Sequence, residues 1–135
     1  MTLKTHRASC HCGKVAIEAE LDLMAGTARC NCSICRKARW WGISVKPAAV
    51  RAIHGEEHTI GYSFGSKAID LRFCATCGLR VYGKGHIAQM GGDFVALNVA
   101  CLDTASDEEL AAAPIHYSNG RDNDWMHAPA VTSYL

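Results

Sequence analysis

The sequence predicts a mainly β protein with one short helix near the C-terminus. Twelve glycines punctuate the 135 residues, the apolar segments between them are short, and most of these segments are rich in β-branched and aromatic residues. No internal repeat, low-complexity tract or long linker divides the chain. Because this length suffices for one hydrophobic core, residues 1–135 are predicted to form a single domain.

The first predicted strand lies in KVAIEAEL, residues 14–21. Apolar residues alternate there with two glutamates, and this period of two is typical of a half-buried strand. The residues predicted to face the core are Val15, Ile17, Ala19 and Leu21. Five further strand segments are WWGISV, HTIGYSF, KAIDLRF, LRVYG and FVALNVACL. The one predicted helix begins after Ser106, because Ser106 and Glu109 form a capping-box pattern, and it ends before Pro114.

Charge and hydropathy exclude several classes of partner. The formal net charge of +1 gives no broad attraction to nucleic acid, and the one basic cluster is confined to residues 29–39. The first 15 residues contain no apolar run of signal-peptide length, and no segment is long enough to span a membrane. We therefore expect a cytoplasmic protein that binds neither nucleic acid nor membrane. In a reducing compartment, eight cysteines are expected to be metal ligands or reactive thiols rather than disulfides.

Seven of the eight cysteines fall into three short groups. These are CxC at Cys10 and Cys12, CxCxxC at Cys30, Cys32 and Cys35, and CxxC at Cys74 and Cys77. Such loops suit zinc because they direct neighbouring sulfurs at one ion, with Zn–S bonds of about 2.3 Å. Gly13 and Gly78 follow the two outer groups, where a tight metal-binding turn requires a residue that tolerates positive φ.

The number of thiols suggests two different metal sites. CxC and CxxC together supply four thiolates, which a closed structural zinc site uses. CxCxxC then supplies three ligands and leaves a fourth position open, as catalytic zinc sites do. The alternative is a second closed site, completed by a histidine or by Cys101, although Cys101 in an apolar strand is expected to be an inert buried thiol. Four basic residues near the loop could offset the thiolate charge: Arg29, Arg36, Lys37 and Arg39.

Several segments resemble the family of glutathione-dependent formaldehyde-activating enzymes, which includes centromere protein V. They are SCHCGKV, CNCSICRK, FCATCG, FVALNVACLD and SNGRDNDWM, and the resemblance extends from about Ser9 to Met126. It implies a β-tent fold, in which small antiparallel sheets are organised around zinc. It also implies two zinc ions per chain, one structural and one catalytic. The implied structural ligands are Cys10, Cys12, Cys74 and Cys77, and the implied catalytic ligands are Cys30, Cys32 and Cys35.

The activity that the resemblance implies is that of a zinc-dependent carbon–sulfur lyase acting on a thiol–aldehyde adduct. The expected reaction joins glutathione to formaldehyde as S-(hydroxymethyl)glutathione, or cleaves this adduct. A free thiol has a pKa of about 8.5, and zinc would bind the incoming thiol as its reactive thiolate. The expected partners are therefore glutathione or an analogous small thiol, together with formaldehyde or another aldehyde. Arg36 is the residue predicted to bind the substrate.

Two alternative functions stay open at this point. The chain could be a non-catalytic, zinc-stabilised β domain that serves as a protein-interaction module, in which case the CxCxxC metal would be absent or closed by protein ligands. A redox or metal-buffering role for the thiols ranks last. It ranks last because CxCxxC is not expected at the strand-to-helix junction of a thioredoxin-like active site.

Overall fold

The computed structural model describes residues 3–135, and its strands form two sheets. Lys4–Ser9 (β1), Ala16–Leu21 (β2) and Val50–His54 (β5) form a three-stranded sheet in the order β1-β2-β5. The other strands are Thr27–Cys30 (β3), Gly42–Val45 (β4), Thr59–Tyr62 (β6), Ile69–Cys74 (β7), Arg80–Ile87 (β8), Gly92–Asn98 (β9) and Ile115–Ser118 (β10). They form a seven-stranded sheet in the order β10-β3-β4-β9-β8-β7-β6. The mainly β prediction is confirmed.

Strand pairing is antiparallel throughout the two sheets except between β10 and β3, which run parallel. In that pair Thr27 lies opposite Ile115 and Cys30 lies opposite Ser118. A parallel pair needs a long connection, and here most of the chain separates the two strands. The pairing places β10, a strand near the C-terminus, beside the start of the CxCxxC loop.

The helices are short. Ser33–Ala38 form α1 and Asp107–Ala112 form α2. The described residues also contain six 3₁₀ helices: Leu23–Ala25, Pro47–Ala49, Glu56–His58, Ala88–Met90, Val99–Cys101 and Gly120–Asp122. The predicted capping box of α2 is confirmed, because Ser106 Oγ accepts from the Glu109 N–H at 3.1 Å and the Glu109 carboxylate accepts from the Ser106 N–H at 3.2 Å. Within residues 3–135, no helix combines the length and the apolarity needed to cross a membrane.

The core lies between the two sheets. The apolar face predicted in KVAIEAEL is buried, with exposed fractions of 1% at Val15, just before β2, and 0% at Ile17 in β2. These side chains belong to one apolar cluster with Tyr82 of β8 and Leu97 of β9, which are also fully buried. The two sheets therefore enclose a shared core, and the cysteine groups lie at the ends of strands.

Part of the secondary structure departs from the sequence predictions. All six predicted segments contain a strand, but β1, β3, β5, β10 and α1 were not predicted. In FVALNVACL the strand ends at Asn98, whose Oδ1 accepts from the Ala100 N–H at 3.1 Å and so starts the 3₁₀ helix Val99–Cys101.

The CxCxxC loop lies at a strand-to-helix junction, so the prediction that it does not is wrong. β3 ends at Cys30 and α1 begins at Ser33, with Cys32 as the N-cap residue between them. The side chain of Cys32 makes no capping hydrogen bond, and the first turn of α1 has no acidic residue. This helix therefore begins without the usual sequence signals.

Candidate metal centres

The four-cysteine centre, which consists of Cys10, Cys12, Cys74 and Cys77, joins the two sheets. Its Sγ atoms all lie within 4.8 Å of one another. Cys12 Sγ is 3.6 Å from Cys10 Sγ and 3.5 Å from Cys74 Sγ. Because Zn–S bonds of about 2.3 Å in a tetrahedron place sulfurs about 3.8 Å apart, this donor set fits one zinc ion. Cys10 and Cys12 lie between β1 and β2, whereas Cys74 ends β7, so a shared ion would tie one sheet to the other.

Tight turns direct backbone N–H groups at the sulfurs of this centre. The Val15 N–H lies 3.3 Å from Cys10 Sγ, and the Cys77 N–H lies 3.5 Å from Cys74 Sγ. Each turn closes on a glycine with positive φ, at +83° for Gly13 and +79° for Gly78. The predicted need for positive φ at both glycines is thus confirmed. N–H donors favour the charged form of a thiol, which is the form that binds a metal.

The three-cysteine centre, which consists of Cys30, Cys32 and Cys35, is formed where β3 leads into α1. Its three Sγ atoms also lie within 4.8 Å of one another, and the Cys32 N–H donates to Cys30 Sγ at 3.3 Å. Within residues 3–135, no further cysteine, histidine or carboxylate contributes a ligand atom to this group. A tetrahedral ion held here would have three protein ligands, and its fourth position would be open.

Charge is distributed unequally among the three thiols. Hydrogen bonds with Cys30 and Cys35, together with N–H groups at the start of α1, lower the pKa of Cys32 to about 2. The same contacts with Cys30 and Cys32, together with burial, raise the pKa of Cys35. One thiolate is therefore stabilised by its two neighbours, which concentrates negative charge at the end of β3.

Asn31 anchors the three-cysteine centre to the C-terminal loop, which we define as residues 118–125. The Asn31 side chain is 3% exposed. Its Nδ2 donates to Asn119 Oδ1 at 2.9 Å, and its Oδ1 accepts from the Arg121 N–H at 3.0 Å. Asn31 was not singled out in the sequence, although a polar residue between two metal-binding cysteines was a visible signal.

Gly120 brings the backbone of the C-terminal loop against the three-cysteine centre. A Cβ atom at this position would lie 2.7 Å from Cys30 Sγ and 2.6 Å from the Trp125 indole. Both distances are too short for a side chain, so the close packing of this loop requires glycine. The half-exposed Trp125 ring thus flanks the same backbone segment as the Cys30 sulfur.

Arg80 and Trp40 stack on each other next to the segment that carries Cys35. The Arg80 guanidinium carbon is 3.7 Å from the Trp40 ring centroid, and the backbone N–H of Trp40 donates to the Cys35 carbonyl at 3.0 Å. Gly42 makes room for this ring, since a Cβ there would lie 2.3 Å from Trp40 Nε1. The sequence analysis did not identify Arg80, although a charged residue inside the apolar strand pattern LRVYG is unusual.

The basic residues predicted near the CxCxxC loop are mostly exposed. Arg36, Lys37 and Arg39 project from α1 and its C-cap into solvent. Arg29 is partly buried, with its guanidinium carbon 5.0 Å from the Trp41 ring centroid. Within residues 3–135 the Arg36 side chain makes no hydrogen bond or ion pair, so its role in substrate binding stays a prediction.

Cys101 does not join the three-cysteine centre. Its side chain is 9% exposed, as expected of a buried thiol. Burial raises its pKa to about 11, and the nearby charges of Asp103, Cys10 and Cys77 act in the same direction. Cys101 therefore lies beside the four-cysteine centre, and the alternative in which it closes the CxCxxC site is wrong.

The family model of the glutathione-dependent formaldehyde-activating enzyme matches residues 5–119. This range contains all seven cysteines of the two centres. The chain belongs to the formaldehyde-activating enzyme family. The resemblance predicted from the sequence is confirmed, and membership supports a glutathione-related, formaldehyde-activating function.

A solved structure is similar to this member of the formaldehyde-activating enzyme family. It is the crystal structure of a Rhodobacter sphaeroides protein with 30% sequence identity and a TM-score of 0.67. The match covers 82% of this chain and 99% of that chain. The family match ends at Asn119, so Gly120 and Trp125, which flank Cys30, lie just beyond it.

Proposed function

We propose that this member of the formaldehyde-activating enzyme family is a zinc-dependent carbon–sulfur lyase that forms or cleaves S-(hydroxymethyl)glutathione. The observation that supports this reaction best is the three-cysteine centre, to which no fourth ligand is added within the described chain. A four-cysteine centre in the same molecule provides the contrast, because closed sites are structural and open sites are catalytic. Family membership supplies the identities of the thiol and the aldehyde.

In this proposal the two cysteine groups hold zinc ions with different roles. The structural ligands are Cys10, Cys12, Cys74 and Cys77, and the catalytic ligands are Cys30, Cys32 and Cys35. When bound in the three-cysteine centre, zinc would supply the positive charge that keeps a substrate thiol deprotonated near neutral pH. The Cys32 N–H and the N–H groups at the start of α1 stabilise the charged form of the ligand thiols.

The surroundings of the centre suggest how the chain would hold its substrate. The Trp125 indole and the Gly120 backbone adjoin Cys30, and they would shield the reacting atoms from water on that side. Arg36 immediately follows Cys35, and its exposed guanidinium is free to bind a carboxylate of glutathione from the rim. We place this activity in the cytoplasm, where reducing conditions keep free thiols such as these from forming disulfides.

Exchange spectroscopy by NMR tests the proposed reaction. The zinc-loaded protein is mixed with glutathione and formaldehyde, and the rate of adduct exchange is compared with that in buffer. We expect a faster exchange with the wild type, loss of this acceleration in Cys32→Ser, and its retention in Cys101→Ser. The last variant is a matched control because Cys101 is a buried thiol outside both centres.

The outcome also separates this function from the non-catalytic alternative. A wild-type protein that holds two zinc ions per chain and gives no acceleration would contradict the proposed reaction. If, in addition, Cys32→Ser damaged folding, the three-cysteine centre would be structural, as an interaction module requires.

Arg36→Gln is expected to raise KM for glutathione with little change in kcat, because Arg36 would bind the substrate and its transition state equally.

A further inference from the structure

Arg80 is a buried arginine without an ordinary partner. Its side chain is 9% exposed, and its Nε and Nη1 atoms are buried without a hydrogen-bond acceptor. An arginine cannot lose its charge in a protein, and buried charges are normally paired or hydrogen-bonded. Within residues 3–135, Arg80 forms no ion pair with a carboxylate. Its counter-charge must therefore be another kind of group.

Other cations of this chain illustrate the contrast. The ion pair between Arg51 and Glu20 has an N–O distance of 2.7 Å, and Arg72 Nε donates to Asp70 Oδ2 at 2.8 Å. Lys84 lies 2.9 Å from a Glu56 carboxylate oxygen. These three cations are all more exposed than Arg80, and each has a carboxylate partner. Of these four cations, Arg80 is the most buried, and it is the one without a carboxylate partner in the described part of the chain.

The negative charges that act on the Arg80 guanidinium include those of two thiols in the three-cysteine centre, Cys35 and Cys32. Burial lowers the pKa of the Arg80 guanidinium, whereas the negative charges of Cys35 and Cys32 act in the opposite direction. The guanidinium also stacks on the ring of Trp40, and the backbone N–H of Trp40 donates to the Cys35 carbonyl. Trp40 therefore fixes Arg80 relative to the segment that carries these sulfurs.

We propose that Arg80 supplies the counter-charge of the three-cysteine metal centre. This inference rests on the proposed function, in which the centre holds a divalent metal. Three thiolates around such an ion leave one net negative charge, and one guanidinium neutralises it. A substrate thiolate adds a second negative charge, so Arg80 would keep the loaded site from holding two uncompensated charges. Arg80 acts through the ligands and is thus a positioning residue.

Burial distinguishes Arg80 from the basic residues that the sequence had indicated for this role. Arg36, Lys37 and Arg39 are exposed, so water and salt screen their charges. The Arg80 guanidinium lies in a region of lower dielectric constant, where the same charge acts on the thiolates more strongly. One buried arginine is therefore expected to matter more than the exposed basic cluster.

Metal titration tests this inference without relying on turnover. The affinity of each centre for zinc is measured by competition with a chelator in the wild type, Arg80→Met, Arg80→Lys and Arg29→Met. Cys32→Ser identifies which of the two metals belongs to the three-cysteine centre. Arg29 is a matched control, since it is also stacked on a tryptophan near the centre but remains partly exposed.

We expect Arg80→Met to bind zinc at the three-cysteine centre about 10–100-fold more weakly, as is usual when a residue that supports metal ligands is lost. The four-cysteine centre should keep its affinity, Arg80→Lys should recover most of the loss, and Arg29→Met should lose much less. An unchanged affinity in Arg80→Met, equal weakening of both centres, or no recovery with lysine would overturn the inference.

The same titration distinguishes this inference from the proposed reaction. A wild type that binds two metals but shows no accelerated exchange would contradict the reaction alone, and the role of Arg80 would still be decided by the affinities. A wild type that binds only one metal, which Cys32→Ser retains, would overturn both, because the three-cysteine centre would then hold no ion for Arg80 to balance.

Discussion

Asn31 is the residue through which the three-cysteine centre depends on the C-terminal loop. Asn31→Ala would leave Asn119 Oδ1 and the Arg121 N–H without their partner in a partly buried position. We expect the free energy of unfolding to fall by about 1–3 kcal/mol. Urea unfolding at saturating zinc measures this effect. Gln89→Ala is the control, since the exposed Gln89 side chain makes no hydrogen bond within the described chain, and a loss no larger than in this control would refute the prediction.

His6 makes the stability of the chain depend on pH. It is 1% exposed, and its Nδ1 lies 2.8 Å from Thr104 Oγ1. Burial lowers the pKa of His6, and the charge of Lys4 adds to this effect, whereas that of Glu109 opposes it. The folded state therefore favours the neutral ring. Its contribution to stability is complete above the unfolded pKa of about 6.5, and it is lost as the pH falls from there towards the lowered pKa.

His6→Gln should remove this part of the pH dependence. The free energy of unfolding of the wild type and of His6→Gln is measured by urea titration between pH 8 and pH 5. The difference between the two free energies is then taken at each pH. Because both proteins have the same metal centres, the metal contribution cancels in this difference. We expect the advantage of the wild type to shrink below about pH 6.5. A difference that stays constant over this range would contradict the assignment to His6.

Among the elements, α2 is the helix whose boundary was predictable from sequence, and its cap should be measurable. Ser106→Ala removes the Oγ that accepts from the Glu109 N–H. We expect a loss of about 0.5–2 kcal/mol in the free energy of unfolding. Ser66→Ala is the matched control, because the exposed Ser66 side chain makes no hydrogen bond within residues 3–135. Equal stability of the two variants would show that the cap contributes nothing.

Elements with a strong local pattern were predictable, whereas elements that depend on distant partners were not. The alternation in β2 located a strand and its buried face correctly. β3 and β10 have four residues each, and their pairing joins segments that lie far apart in the chain. β1 is largely polar, and α1 lacks a capping side chain. In each of these cases tertiary contacts decide the secondary structure, and the local sequence carries little signal.

The same distinction applies to the candidate site. The two groups of cysteines predicted from the sequence are the two groups that the structure brings together. Short loops made this predictable, because a short loop limits where its sulfurs can lie. The surroundings of the three-cysteine centre come from distant segments, namely Arg80 in β8 and Trp125 in the C-terminal loop. Their proximity to the CxCxxC loop follows from the sheet order, which no local pattern specifies.

On the scale of the whole molecule, the two centres should differ in what they contribute to folding. The four-cysteine centre links the two sheets, whereas the three-cysteine centre lies within six residues of one segment. We therefore expect Cys74→Ser to lower the unfolding temperature by about 10 °C or more and Cys32→Ser to lower it far less. Calorimetry of both variants, with their zinc content determined, measures this. Equal destabilisation by the two substitutions would contradict the division into structural and catalytic centres.

The central claim is that the three-cysteine centre is an open metal site that accepts a thiol. Cobalt-substituted protein tests it most directly, because sulfur-to-cobalt charge-transfer absorption reports the sulfur ligands of the ion. With saturating glutathione, the wild type should gain absorption as the centre goes from three sulfur ligands to four, and Cys32→Ser should show no change. A wild-type protein that holds two cobalt ions per chain, and whose spectrum glutathione leaves unaltered, would contradict the account.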